Sequence, residues 1–154
     1  KYMNPENDGI NNYDWTNFIY IRYAEVLLTY AEARNEQLAS PDNQVYAAVN
    51  AIRQRPSVNL PALSSGMTKD EMRAAIRLER RLELAFEGIH LFDTRSYKTT
   101  EADVKKPVYG MRPDGTKFLV EQRKFNPNRD YLWAIPLTEV DLSKGVLKQN
   151  PNWD

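Results

Sequence analysis

Apolar residues recur at helical spacing in two neighbouring stretches near the start of the chain. Between Phe18 and Leu38 they return every three or four positions, and Val45 to Gln54 repeats the pattern, which is typical of one helix face. The polar break Ser40-Pro41-Asp42 separates the two stretches. We therefore predict an antiparallel helical hairpin of roughly one tetratricopeptide unit's length. The residues predicted to face its core are Tyr20, Ala24, Leu27, Leu28, Ala31, Val45, Ala48, Val49 and Ile52.

A third helix is predicted to begin at Thr68-Lys69-Asp70-Glu71. This sequence is a capping box, in which the threonine hydroxyl and the glutamate carboxylate each accept a hydrogen bond from a backbone N–H of the other residue. We predict that the helix runs to about Phe86, and that Gly88 adopts the left-handed conformation common after a helix end. The predicted apolar stripe of this helix comprises Leu78, Leu82, Ala85, Phe86 and Ile89.

The same helix carries a row of glutamates at intervals of four residues. Like charges at this spacing destabilise a helix, so the row requires cations from elsewhere in the fold. We predict a structural charge network in which arginines of the hairpin pair with these glutamates. The alternative is that the glutamates are solvated on an exposed face. The predicted network comprises Glu79, Glu83 and Glu87 with Arg22, Arg53 and Arg55.

The second half of the chain is predicted to contain a small β-hairpin. The turn sequence Arg112-Pro113-Asp114-Gly115 places proline and glycine at positions that turns favour, and it separates two extended stretches, 107–111 and 116–125. Together with the helices, this predicts a mainly α fold: a tetratricopeptide-like helical hairpin, a long capped helix, a small β-hairpin and an extended C-terminal wrap.

The C-terminal wrap begins with the apolar run Tyr131 to Pro136, in which we predict Trp133 to be a core residue because its neighbours are apolar. Thr138 is predicted to cap a single helical turn over Glu139 to Leu142. The chain then ends in the polar tail 149–153, with one aromatic residue, Trp153.

The composition narrows the possible functions. With 21 basic and 21 acidic residues, the chain has no net field that would attract nucleic acid. It has no Cys and a single His, so a thiolate or multi-histidine metal site is excluded. We find no G-x-S-x-G, phosphate-binding loop or H-E-x-x-H sequence. The sequence therefore predicts neither an enzyme nor a cofactor or metal site, and we interpret His90 as structural.

Aromatic residues beside amides suit sugar binding, because a pyranose ring packs on a flat ring while amides bond its hydroxyls. Tyr13 and Trp15 lie among Asn11, Asn12, Asp14 and Asn17 in an N-terminal loop. They are the candidate glycan-binding residues. The alternative is that Trp15 anchors this loop to the core.

Three segments in order along the chain resemble the C-terminal region of the SusD/RagB family. They are Ile21-Arg22-Tyr23-Ala24-Glu25-Val26-Leu27-Leu28, Glu79-Arg80-Arg81-Leu82-Glu83-Leu84-Ala85-Phe86-Glu87-Gly88 followed by Phe92-Asp93, and Tyr131-Leu132-Trp133-Ala134-Ile135-Pro136 with Gln149-Asn150-Pro151. The chain departs from the family at Thr94-Arg95-Ser96-Tyr97, where an Arg-Trp pair is frequent.

The resemblance implies a binding protein that captures oligosaccharides and delivers them to a SusC-like TonB-dependent transporter. It further implies a location on the extracellular face of the outer membrane, through an N-terminal lipid anchor absent from this sequence. We therefore expect residues 1–154 to be the C-terminal domain of a longer lipoprotein. The alternative is a tetratricopeptide-like scaffold for protein–protein interaction. An enzyme acting on glycans is a third alternative.

Overall fold

The computed structural model of the protein describes residues 19–153, which fall into two compact units, 19–84 and 85–153. Six helices and one two-stranded sheet occur in these residues. The mainly α fold with a small β-hairpin is therefore confirmed. Across the described residues, no helix is both long enough and apolar enough to cross a membrane.

The first unit consists of three helices, α1 (Tyr23–Gln37), α2 (Asn43–Arg53) and α3 (Lys69–Glu83). α1 packs against both α2 and α3. α2 begins where the Asp42 carboxylate accepts hydrogen bonds from two backbone N–H groups of the first turn, as an N-cap does. The predicted hairpin is confirmed, except that Tyr20 precedes α1 and is exposed. The core residues of the unit are Ala24, Leu28, Ala31, Val45, Ala48, Val49, Ile52, Met72, Ile76 and Leu84.

α3 starts at the predicted capping box, with both hydrogen bonds between Thr68 and Glu71 present. The predicted apolar stripe is wrong. Leu78 and Leu82 are exposed, and the buried face consists of Met72, Ile76, Glu79, Arg80 and Glu83. The glutamates bind arginines of the hairpin region, so the face that carries them is turned towards the hairpin together with Met72 and Ile76.

The predicted end of α3 is also wrong, because the helix stops at Glu83 rather than near Phe86. Phe86 itself has a positive φ of 67° and is exposed. Gly88 has the predicted positive φ, but it lies beyond the helix end. Ala85, Phe86 and Ile89 are therefore not members of an α3 stripe.

The second unit contains α4 (His90–Ser96), α5 (Thr100–Val104), β1 (Val108–Met111), β2 (Lys117–Glu121) and α6 (Leu137–Leu142). The short helices α4 and α5 were not predicted. The β-hairpin is confirmed: β1 and β2 pair in antiparallel fashion, with Met111 opposite Lys117. A Cβ at Gly110 would lie 2.5 Å from the Phe118 ring, so any larger residue here would require that ring to move.

The C-terminal tail folds back onto the apolar run Tyr131 to Pro136. The Gln149 side chain both donates to the Ile135 carbonyl and accepts from the Ile135 N–H, each at 2.8 Å. Asn150 Nδ2 donates to the Trp133 carbonyl at 2.7 Å, and Trp153 Nε1 donates to the Leu132 carbonyl at 3.1 Å. Side-chain amides thus replace the backbone partners that a neighbouring strand would provide.

Two predictions for this segment are wrong. Trp133 is 64% exposed rather than in the core, and the Arg95 guanidinium lies 4.4 Å from its ring centroid. The backbone of this run accepts hydrogen bonds from the tail, and the Trp133 ring stacks with the Arg95 guanidinium in place of a core contact. Thr138 does not cap α6, because the N-cap position belongs to Pro136, which makes no side-chain cap.

Candidate functional site

The two predicted glycan-binding residues, Tyr13 and Trp15, lie outside the described residues. Their role stays a prediction. The candidate site is therefore built from the polar groups of residues 19–84, beginning with the predicted charge network.

Glu83 is the centre of this network. Its side chain is 7% exposed and forms ion pairs with Arg22 at 2.5 Å and with Arg55 at 2.8 Å. Arg22 Nη2 also donates to the Glu83 carbonyl. Burial raises the pKa of Glu83, but the hydrogen bonds from Arg22 and Arg55 outweigh it, so its pKa lies below the ordinary value. The carboxylate is therefore held in its charged form.

A second ion pair lies on the same face of α3. Arg53 Nη1 binds Glu79 at 2.7 Å, and Arg53 Nε donates to the Pro61 carbonyl at 3.0 Å. Glu87 follows the end of α3 and lies in the second unit, so the predicted row of three glutamates on one helix is wrong for Glu87. The paired arginines precede α1 and end or follow α2, so these contacts fasten α3 to the hairpin.

The loop between α2 and α3 is attached to α2 by three side chains at helical spacing. The first is Arg53, through its bond to Pro61. The Asn50 Oδ1 atom accepts from the Leu63 N–H at 2.9 Å, and the Tyr46 hydroxyl accepts from the Met67 N–H at 2.9 Å. Sequence reasoning did not find this ladder. The ladder formed by Tyr46, Asn50 and Arg53 could have been found from the sequence, because these polar residues form a stripe beside the apolar stripe of α2.

An open cleft of about 580 Å³ lies between this loop and the turn that joins α1 to α2. Polar side chains on its walls include Ser40, Asn43, Asn50 and Ser65, and the Tyr46 and Met67 side chains supply apolar surface. The volume falls within the range of small-molecule sites. The cleft is the candidate functional site of the first unit.

The second unit has a different kind of surface, in which arginines stack on tryptophans. Arg129 lies 4.6 Å from the Trp153 ring, as Arg95 lies over Trp133. His90 is exposed at the first position of α4. Within residues 19–153, no group of three or more His, Asp or Glu side chains is placed to hold a metal ion.

Comparison with known proteins gives relatives of one kind. Residues 1–153 match the family described as the SusD family. The chain is 36% identical to SusD-like protein P2 of Formosa agariphila over 143 residues, which is 90% of this chain and 26% of that protein. It is also 36% identical to SusD-like protein P38 of the same organism over 133 residues, covering 77% of this chain and 25% of the relative.

Solved structures agree. A SusD-like protein from Bacteroides fragilis superposes with a TM-score of 0.75 at 36% identity, over 90% of this chain and 26% of its own. A SusD homolog from Bacteroides thetaiotaomicron gives a TM-score of 0.71 at 30% identity, over 94% of this chain and 30% of its own. This chain therefore spans about a quarter of the length of the curated relatives that it matches. Its fold is that of a tetratricopeptide-like helical protein, and the chain belongs to the SusD family.

Proposed function

We propose that this protein binds oligosaccharides as nutrients at the cell surface and delivers them to a SusC-like TonB-dependent outer-membrane transporter. The observation that carries the proposal is the family match over residues 1–153, together with 36% identity to SusD-like relatives. On this proposal the chain is the C-terminal domain of a longer lipoprotein, which a lipid attached upstream of Lys1 anchors to the extracellular face of the outer membrane.

The role we propose is binding rather than catalysis. A hydrolase of glycans uses two carboxyl groups that flank one bond, one of which is kept protonated. In the described residues, the buried carboxylates Glu79 and Glu83 are instead bound to arginines. A carboxylate that is bound to an arginine is a poor general acid, which supports a structural role for both residues.

Isothermal titration calorimetry against a panel of neutral and acidic oligosaccharides tests the proposal, with product analysis after prolonged incubation as a check for hydrolysis. We expect saturable binding, no hydrolysis, and recovery of a SusC-like transporter when the protein is purified from its own outer membrane. Absence of binding to every glycan of the panel, or release of sugar products, would contradict the proposal.

The Trp15→Ala variant tests the proposed contact residues. Loss of one anchoring aromatic should weaken oligosaccharide binding by about 1–3 kcal/mol, with little change in melting temperature. Trp133→Ala is the matched control, because Trp133 is an exposed tryptophan that stacks on Arg95. A large fall in melting temperature for Trp15→Ala with unchanged affinity would show that Trp15 anchors the core.

A further inference from the structure

We propose that the cleft between the α1–α2 turn and the α2–α3 loop is a subsite for a neutral saccharide. This inference rests on the proposed glycan-binding function and adds to it a location and a charge class. It concerns residues of the first unit only, separate from Tyr13 and Trp15.

The charge class follows from the residues that line the cleft. All of them lie within the described residues, and none carries a formal charge. A phosphate, sulfate or uronate group placed here would lose part of its hydration without gaining a cation, which is unfavourable. A neutral ligand with many hydroxyls has no such penalty.

The hydrogen-bonding capacity of the walls matches a sugar. Among the described residues, the side chains of Ser40, Asn43 and Ser65 have no hydrogen-bond partner, so they are available to a ligand. Asn50 Oδ1 is used by the Leu63 N–H, which leaves the Nδ2 group as a donor. Hydroxyls and amides both donate and accept, as the hydroxyls of a sugar ring require.

The cleft also offers apolar contact and a fixed shape. The Tyr46 side chain is half-buried, and its position is fixed by the bond from the Met67 N–H. Because Asn50 and Arg53 hold the same loop, the walls are positioned before a ligand arrives. A preformed site loses less entropy on binding than one that must be ordered.

The test is nuclear magnetic resonance titration of the ¹⁵N-labelled full chain with maltotriose, cellotriose and trigalacturonic acid. We expect at least one neutral trisaccharide to shift the amide signals of Ser65, Gly66 and Met67 and the side-chain amide of Asn43 in a saturable way. Trigalacturonic acid should leave these signals unchanged.

Two variants and a matched control locate the site. Asn43→Ala removes one hydrogen-bonding group and should weaken binding by about 2- to 12-fold. Ser65→Phe fills the cleft and should abolish the shifts, whereas Ser64→Phe adds the same ring at a neighbouring residue outside the lining and should retain them. A dispersed amide spectrum for all three variants shows that each is folded.

The outcomes separate this inference from the proposed function. If neutral oligosaccharides bind but the shifts lie outside the cleft, or Ser65→Phe binds as the original does, the subsite is wrong and the glycan-binding function stands. Equal binding of trigalacturonic acid in the cleft would overturn the charge class. If no oligosaccharide binds anywhere on the protein, both proposals fail.

Discussion

The interactions within the helical unit, residues 19–84, differ from those within the unit that follows it, residues 85–153. Every hydrophobic side chain that is buried in the described residues belongs to the first unit. In the second unit the buried residues are Thr94 and Thr100, and the tail is held by amide side chains bonded to backbone groups. Packing therefore stabilises the first unit, and directed hydrogen bonds shape the second.

The largest effect expected from this difference is in the core. Ile76→Ala removes a fully buried side chain and should destabilise the protein by about 2–5 kcal/mol, since it leaves a cavity. Leu142→Ala removes a similar side chain that is 75% exposed in the second unit, and it should change stability by less than about 0.5 kcal/mol. Urea unfolding followed by circular dichroism measures both. Similar losses for the two variants would contradict the comparison.

The next effect concerns the charge that α3 buries. Glu83→Gln should destabilise the first unit by about 1.5–3 kcal/mol, the range for hydrogen bonds to charged groups. It should remain below the roughly 3–5 kcal/mol of a fully buried broken pair, because Arg22 and Arg55 are 23% and 35% exposed and regain water. A double-mutant cycle of Glu83→Gln with Arg55→Gln measures the coupling, and a coupling of zero would show that the pair contributes nothing.

The same pair predicts how stability depends on pH. The pKa of Glu83 is lower in the folded protein than in the unfolded chain, where it is about 4.3. Its contribution to stability is therefore complete above that value and is lost as the pH falls through the lowered, folded pKa. Between these two pKa values, the free energy of unfolding of Glu83→Gln should depend less on pH than that of the unsubstituted protein. An unchanged pH dependence in urea unfolding would contradict the lowered pKa of Glu83.

Much of the first unit could be predicted from the sequence. All four residues predicted to form the buried face of α2 are buried, and the capping box starts α3 at Lys69. The buried face of α3 could not be predicted, because the pattern assigned Leu78 and Leu82 to the core. The row of glutamates did predict arginine partners for Glu79 and Glu83, which lie 26 to 61 residues away. Hydrophobic periodicity alone places charged residues on the exposed face, so it could not show that these ion pairs share the buried face with Met72 and Ile76.

The second unit and the candidate site were harder to predict. The β-hairpin could be predicted from the turn that contains Gly115, because the residues that favour a turn are adjacent in the sequence. We call the hydrogen bonds between the Gln149 and Asn150 side chains and the backbone of residues 133 and 135 the clasp. It could not be predicted, because an amide side chain that binds a distant backbone group has no periodic sequence pattern and resembles any other polar residue of a tail. The cleft was missed for the same reason: the functions of Tyr46 and Asn50 depend on where the following loop lies.

A smaller effect is expected from the clasp itself. Gln149→Ala removes the donor and acceptor that bind Ile135 and should reduce stability by about 1 kcal/mol. The sharper measurement is amide hydrogen exchange, in which the Ile135 N–H should lose protection. Lys148→Ala, at the exposed neighbouring position, is the control. Unchanged exchange at Ile135 in Gln149→Ala would show that other contacts hold the segment.

The smallest effect is expected at His90, which is exposed at the start of α4 and to which we assign no ligand or proton-transfer role. His90→Gln should leave stability within about 0.5 kcal/mol of the original and leave oligosaccharide affinity unchanged. Loss of affinity in calorimetry would show that this residue takes part in binding.

The ladder that attaches the α2–α3 loop also has a consequence for how the protein folds. Its three bonds close segments of increasing length: 8 residues for Arg53 and Pro61, 13 for Asn50 and Leu63, and 21 for Tyr46 and Met67. Each doubling of a loop adds only about 0.6 kcal/mol of closure entropy, and once one bond is made the next orders just a few more residues. We therefore expect the three bonds to form in order of increasing segment length, starting from the end of α2, and we call this series the zipper.

This order of assembly differs from that of the Arg22–Glu83 pair, which joins residues 61 positions apart. Local closures form faster than distant ones, so the zipper can be complete before α3 docks on α1. An inserted residue between Arg53 and Pro61 would lengthen all three closures, because the segments are nested, whereas one between Leu63 and Met67 would lengthen only the closure of Tyr46 with Met67. The wall of the cleft is thus the last part of the zipper to close and the part most sensitive to the length of the loop.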